Sequence, residues 1–142
     1  MSFSVRILLS LFAGLGAPLS LACTLSATPI AFGSVNPLDE APTDTVGTLT
    51  VTCPEPVSYT LSATSGQGGY TQRQMTFGDH ELAYNLYIDS EFLFVFGDGT
   101  GDTRVISGEG TNSEHVVHGW MPSQPTAIPG VYSDDIVVTL SY

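Results

Sequence analysis

The side chains best suited to chemistry include two closely spaced histidines, His115 and His118. Residues three positions apart share one side of a helix but point to opposite faces of a strand. Val116 and Val117 stand between them and favour a strand. We therefore expect no shared metal site and interpret both histidines as exposed or edge polar residues.

Carboxylates are a second feature with chemical potential. Asp98 and Asp102 lie in the glycine-rich run of residues 97–102 (GDGTGD), and Ca²⁺ prefers oxygen ligands on such loops. The alternation of an EF-hand loop is absent, and Gly and Asp are also ordinary turn residues. We favour a hairpin turn and keep calcium binding open. Asp134 and Asp135 are adjacent, so on a strand they face opposite ways and form no catalytic pair.

No arrangement for nucleophilic catalysis is visible, because no serine lies in a G-x-S-x-G turn. Nothing singles out an acidic pair of the glycosidase kind. Trp120, Tyr70 and Tyr132 would suit a sugar platform, although isolated aromatic residues of β proteins more often pack internally. We expect neither an enzyme nor a cofactor. The alternative function is a secreted carbohydrate- or calcium-binding module.

Composition excludes several partners. The chain has 142 residues, 14 acidic side chains against three arginines, no lysine and a net charge of -11. So acidic a protein does not bind a nucleic-acid backbone or anionic lipid by charge. With 42% hydrophobic and 12% charged residues, neither disorder nor a helical bundle is expected. The length suits one domain.

Residues 1–22 (MSFSVRILLSLFAGLGAPLSLA) have the layout of an export signal. Arg6 precedes an apolar run over residues 7–15, and Pro18 and small residues lead to Ala22. The run is shorter than the roughly 20 residues that span a bilayer. We predict cleavage after Ala22, a domain over residues 23–142, and no integral membrane segment after cleavage.

Cys23 follows the predicted cleavage point, and Cys53 is the only other cysteine. Two cysteines in an exported chain usually pair. A lipoprotein would also retain a cysteine at this place, but the leucine normal three positions earlier is Ser20. We favour the disulfide, because a lipidated Cys23 would leave Cys53 as an odd thiol.

Alternation with a period of two predicts strands over residues 48–53, 57–63 and 136–142. The last of these puts Ile136, Val138, Leu140 and Tyr142 on one face. Weaker strands are predicted over residues 24–32, 72–77, 82–88, 91–96, 104–106 and 116–120, with turns between them that include residues 54–56 and 108–110. Many short strands with frequent turns indicate an all-β sandwich or barrel.

Several strings occur in a characteristic order: residues 30–33 (IAFG), 47–53 (GTLTVTC), 73–75 (RQM), 82–87 (LAYNLY), 96–100 (FGDGT), 129–134 (PGVYSD) and 137–142 (VVTLSY). Together they resemble the spore coat protein U domain, which also builds the subunits of archaic chaperone–usher pili. The resemblance covers residues 23–142.

The resemblance implies an immunoglobulin-like β-sandwich that lacks its final strand. A periplasmic chaperone would fill the gap first, and the N-terminal extension of a neighbouring pilus or coat subunit would fill it after export through an outer-membrane usher. The family's N-terminal disulfide maps onto Cys23 and Cys53. Its gap-bordering strand maps onto residues 136–142, so that Ile136, Val138, Leu140 and Tyr142 would line the acceptor groove.

We therefore expect a structural subunit, exported through the periplasm to a surface pilus or coat. An apolar terminal strand with an open edge invites strand addition. Because cleavage after Ala22 leaves no donor extension ahead of Cys23, we expect the chain to accept a strand without donating one. A closing strand that the chain itself supplies beside its last strand would contradict this interpretation.

Overall fold

The computed structural model describes residues 2–12 and 22–142, and every regular element in these ranges is a β-strand. The strands are β1 (Ser2–Phe12), β2 (Thr24–Ala27), β3 (Ile30–Ser34), β4 (Thr43–Ala63), β5 (Gln67–Gly68), β6 (Arg73–Phe77), β7 (His80–Tyr87), β8 (Ile106–Met121) and β9 (Val131–Ser141). This confirms the predicted all-β sandwich. Within the described ranges, no helix has the length and apolar character needed to cross a bilayer.

The strands follow the order β2-β4-β8-β7-β6-β9-β1-β3, with β5 beside β6 and a further pairing of β4 with β9. The longest ladder joins β4 and β8, from Thr43 opposite Met121 to Leu61 opposite Ile106. The first half of β4 also pairs with β2, and its last residues pair with β9. These pairings close the strands around one core.

The core is built from the inward-facing row of each long strand. Because side chains alternate across a strand, every second residue is buried along β9, over residues 47–53 and 59–63 of β4, and over residues 117–121 of β8. The central members are Leu49, Val51, Leu61, Val117, Met121, Ile136, Val138 and Leu140. Burying one such side chain contributes about 1.5–3 kcal/mol.

The predicted disulfide is confirmed, since Cys23 and Cys53 are bonded to each other. The bond lies where β2 meets β4, next to the pair Thr24–Thr52. A lipid on Cys23 would need the sulfur that this bond uses, so the lipoprotein alternative does not agree with the structure.

Two predicted turns lie inside long strands. Residues 54–56 belong to β4, at a break in the register with β8 between Thr52 and Val57, where Pro54 and Pro56 have no N–H to donate. Residues 108–110 belong to β8. Gly108 is needed there because the Tyr59 ring occupies the space that a Cβ would take.

The strand predicted over residues 91–96 is wrong. The Asp89 carboxylate accepts the N–H groups of Leu93 and Phe94 at 3.0 and 2.9 Å, and Phe92 adopts a φ of +56°. Side-chain hydrogen bonds of this kind compete with a strand ladder and favour a turn. The strand predicted over residues 24–32 is divided at Pro29 into β2 and β3.

The place beside β9 is filled by β1. The two strands run parallel and pair from Ser2–Val131 to Phe12–Ser141. The expectation that the chain supplies no strand here is therefore wrong for the full chain; it holds only for residues 23–142, where β2–β9 leave this place free. The physical reason is that β1 alternates apolar Phe3 and Val5 with polar Ser4 and Arg6, a strand pattern within the predicted signal. Met1 and residues 13–21 of that signal lie outside the described residues.

Candidate functional site

The candidate site is the strand position between β9 and β3, which we call the slot. β1 occupies it, parallel to β9 and antiparallel to β3, with which it pairs from Ser2–Ser34 to Val5–Ile30. The inward row of β9 borders the slot and is buried: Tyr132, Asp134, Ile136, Val138 and Leu140. Three of the four predicted groove residues belong to this row, and the fourth, Tyr142, packs partly buried against the core.

β1 fills the slot deeply at one end and shallowly at the other. The parallel register places its alternate residues beside the inward row of β9. Phe3 and Val5 are 1% and 0% exposed, and Ile7 packs partly buried against the core. Leu9 and Leu11 are 41% and 49% exposed. Residues 3–7 of β1 therefore make most of its buried side-chain contacts in the slot.

The deepest part of the slot is an aromatic site. The Phe3 ring lies 5.5 Å from that of Tyr132, and Phe77 packs on Tyr132 at 5.7 Å, measured between ring centroids. Tyr132 is fully buried, and its hydroxyl donates to the carbonyl of Ile128 at 2.7 Å. From its sequence context Tyr132 suits a sugar platform, although internal packing is favoured there, and the structure places this residue in the core.

One buried carboxylate interrupts the apolar row of β9. Asp134 accepts hydrogen bonds from the Tyr84 hydroxyl at 2.6 Å and from the N–H groups of Gln67 and Asp135 at 3.0 and 2.9 Å. Burial raises the pKa of Asp134, and these hydrogen bonds act against the rise. Burial, then the bond to Asp134, raises the pKa of Tyr84. As expected, Asp135 points the other way and is exposed.

A buried guanidinium lies in the same core. Arg73 is fully buried and donates to the Asn85 side-chain oxygen at 2.7 Å and to the carbonyls of Thr64 and Phe96 at 2.7 and 2.6 Å. Its Nε has no hydrogen-bond partner among the residues that the structure describes. Burial lowers the pKa of Arg73. Tyr70, also considered for a platform from the sequence, lies under this guanidinium, 5.4 Å from ring centroid to Cζ.

Sequence reasoning did not assign a role to Arg73 or Asp134. A signal was available: both occupy the apolar phase of an alternating strand, Arg73 with Met75 and Asp134 with Ile136. A charge at such a position is buried only where hydrogen bonds satisfy it. These groups fix β6, β7 and β9 relative to one another, and all their partners are structural.

The remaining candidate residues are dispersed. His115 forms a 2.6 Å hydrogen bond with the Tyr59 hydroxyl, whereas His118 lies on the opposite face near Phe92. The prediction that the two point apart is confirmed. Trp120 also packs beside Phe92. Among the described residues no three His, Cys, Asp or Glu side chains come together as metal ligands.

Asp98 and Asp102 belong to a tight turn. The Asp98 carboxylate accepts the Thr100 N–H and hydroxyl at 2.9 and 2.5 Å, and these bonds lower its pKa. Gly99 and Gly101 supply the positive φ values of 88° and 58° that the turn requires. Asp102 is exposed.

Fold and slot together define a β-sandwich in which the N-terminal strand β1 fills the position between β9 and β3. The family described as Spore Coat Protein U domain matches residues 13–139, and the chain belongs to this family. No curated protein matches the sequence.

One similar chain occurs in the crystal structure of the CsuC–CsuE chaperone–tip adhesion subunit pre-assembly complex from archaic chaperone–usher Csu pili of Acinetobacter baumannii. The identity is 20% and the TM-score 0.64, over 87% of this chain and 40% of that one. The likeness confirms the immunoglobulin-like sandwich as the fold. The present chain spans well under half of that relative's length.

Proposed function

We propose that this protein is a non-catalytic structural subunit of an archaic chaperone–usher pilus, or of a related surface or spore coat, and that it assembles by accepting a strand in the slot. Two comparisons support the proposal: the family of the chain, and the fold that it shares with a chain from a chaperone–subunit complex. Its partners would be a periplasmic chaperone, an outer-membrane usher and neighbouring subunits.

The observation that carries the proposal is the pairing of β9 with β1. On its other side β9 pairs with the end of β4 and, at one residue, with β6. If residues 1–22 are removed on export, the β1 side of β9 has no strand, and the inward row around Ile136 and Val138 loses its cover. An edge with free backbone groups beside an apolar strip is the kind of site that takes up an added strand.

The gain from filling the slot follows from its depth. A donor that buries three apolar side chains where Phe3, Val5 and Ile7 now lie gains about 5–9 kcal/mol before costs, at about 1.5–3 kcal/mol each. Ordering the donor and desolvating its backbone reduce that gain. In this proposal Ile136, Val138, Leu140 and Tyr142 line the acceptor groove, and the chaperone strand is its first occupant.

The test is to produce residues 23–142 in the periplasm with and without a periplasmic chaperone of the archaic chaperone–usher class. We expect a soluble one-to-one complex with the chaperone, and aggregation or degradation without it. A monomeric domain of residues 23–142 that unfolds cooperatively in the absence of any partner would contradict the proposal.

A further inference from the structure

We propose that residues 2–12 are an intramolecular plug, which blocks the slot to strands from other proteins for as long as the segment stays attached. Removal of the segment would then be the step that makes the subunit competent for assembly. This inference rests on the proposed function, because a plug has meaning only if the slot accepts a strand.

The first argument is that β1 uses both edges of the slot. Along its whole length it pairs with β9, and over Ser2 to Val5 it also pairs with β3. Among the described residues, β3 has no other ladder partner. A second strand therefore cannot pair with β9 or with this part of β3 until β1 leaves.

The second argument is side-chain occupancy. Phe3 and Val5 fill the interior positions beside Tyr132 and Asp134. An incoming strand would need the same positions for its own apolar side chains. Leu8, at 49% exposure, contributes little to this hold. Within the plug of residues 2–12, residues 3–7 therefore provide most of the side-chain burial, and the leucines after them are about half exposed.

The third argument is covalent attachment. Residues 13–22 join β1 to the segment that begins at the disulfide-bonded Cys23. A strand tethered by so short a linker has an effective concentration on the order of millimolar. A separate donor of equal intrinsic affinity at about 1 μM is then outcompeted by roughly 1,000-fold.

The experiment uses the oxidised full chain and compares it with two variants. Val5→Asp puts a carboxylate beside the buried Asp134 and expels the plug, whereas Leu8→Asp adds the same charge on the exposed face of the same strand. The probe is a fluorescent peptide with the sequence of residues 2–12, followed by size-exclusion chromatography. Hydrogen exchange of residues 30–34 reports on β3.

We expect the Val5→Asp chain to take up at least ten times more peptide than the wild-type and Leu8→Asp chains. Residues 30–34 should exchange rapidly in Val5→Asp and become protected when the peptide is added. Equal peptide uptake by all three chains would overturn the plug.

A second experiment tests the same proposal if Val5→Asp does not fold, and it uses a chain that is cut once between β1 and Cys23 after folding (the nicked chain). A specific protease site is introduced within residues 13–21, the chain is folded and oxidised, and the site is then cut. Peptide uptake should begin only after cutting. Equal uptake before and after cutting overturns the plug alone, whereas no uptake by the nicked chain overturns the strand-accepting slot and the proposed function with it.

Discussion

Val5 and Asp134 lie side by side on adjacent parallel strands, and both are buried, at 0% and 4% exposure. The strand in the slot thus covers a carboxylate as well as apolar side chains. Tyr84 and two backbone N–H groups satisfy that carboxylate, and Arg73 lies in the same core. A buried carboxylate with several hydrogen bonds is tolerated. Its pKa still rises, which favours the protonated form, when desolvation outweighs those hydrogen bonds.

The first prediction concerns pH. Because burial raises the pKa of Asp134 above its ordinary value of 3.8, the folded chain binds this proton more tightly than the unfolded chain. The contribution of Asp134 to stability is therefore most favourable below its ordinary pKa of 3.8, is lost as pH rises from there through the raised pKa, and is constant above it. The measurement is the free energy of unfolding in urea for the wild type and for Asp134→Asn. We expect the difference between the two to show this trend between neutral pH and pH 4.

Carboxylates with lowered pKa values have the opposite effect on the pH dependence of stability. The effect of Asp134 must therefore be taken as the difference between the wild type and the variant. The hydrogen bonds from Thr100 lower the pKa of Asp98, and its contribution is lost as pH falls. Asp98→Asn is the matched control and should change the pH slope with the opposite sign. If Asp134→Asn and wild type have parallel pH profiles, the buried carboxylate does not titrate as argued.

The second prediction concerns Arg73. Its guanidinium satisfies the Asn85 side chain and two backbone carbonyls in the core. Arg73→Ala removes these donors and leaves a cavity, so we expect a loss of about 3–5 kcal/mol in the free energy of unfolding. Arg104→Ala, at an exposed arginine beside Phe94, should cost less than about 1 kcal/mol. Equal losses in urea melts would refute a structural role for the buried guanidinium.

Alternation was a reliable guide where one face of a strand is fully buried. Residues 136–142 were predicted with the correct phase, because burial of Ile136, Val138 and Leu140 demands it. The strand over residues 91–96 failed because the Asp89 side chain, a local competitor, captures backbone N–H groups. The length of β8 was missed because residues 108–110 (GEG) are typical of a turn, while the need for Gly108 arises from Tyr59, distant in sequence.

The slot shows the limit of local patterns more clearly. The alternation of Phe3 and Val5 was present in the sequence, yet the same residues fit an export signal. Whether a segment pairs with β9 depends on the strand position between β3 and β9, and β9 lies more than a hundred positions away along the chain. Such a position is a property of the whole fold, and the family resemblance rather than residue spacing pointed to it.

The third prediction concerns the disulfide. The bond closes a loop with a sequence separation of 30 between Cys23 and Cys53. Constraining the unfolded chain in this way stabilises by about 3–4 kcal/mol. We expect the double variant Cys23→Ala, Cys53→Ala to lose that amount in urea unfolding, compared with the oxidised chain. Reduction of the wild type should give a similar loss; if it leaves the unfolding midpoint unchanged, the bond does not support the fold.

The fourth prediction concerns a close contact between β4 and β8. A Cβ at Gly108 would collide with the Tyr59 ring, which is buried and bonded to His115 at 2.6 Å. Gly108→Ala should therefore cost about 1–3 kcal/mol, the usual range for overpacking. Gly69→Ala is the control, because its Cβ would meet no atom of the described part of the chain within 4 Å, and a change within about 0.5 kcal/mol is expected there. A double variant with Tyr59→Leu should recover part of the loss in thermal unfolding, and independent, additive losses would show that the ring is not the obstacle.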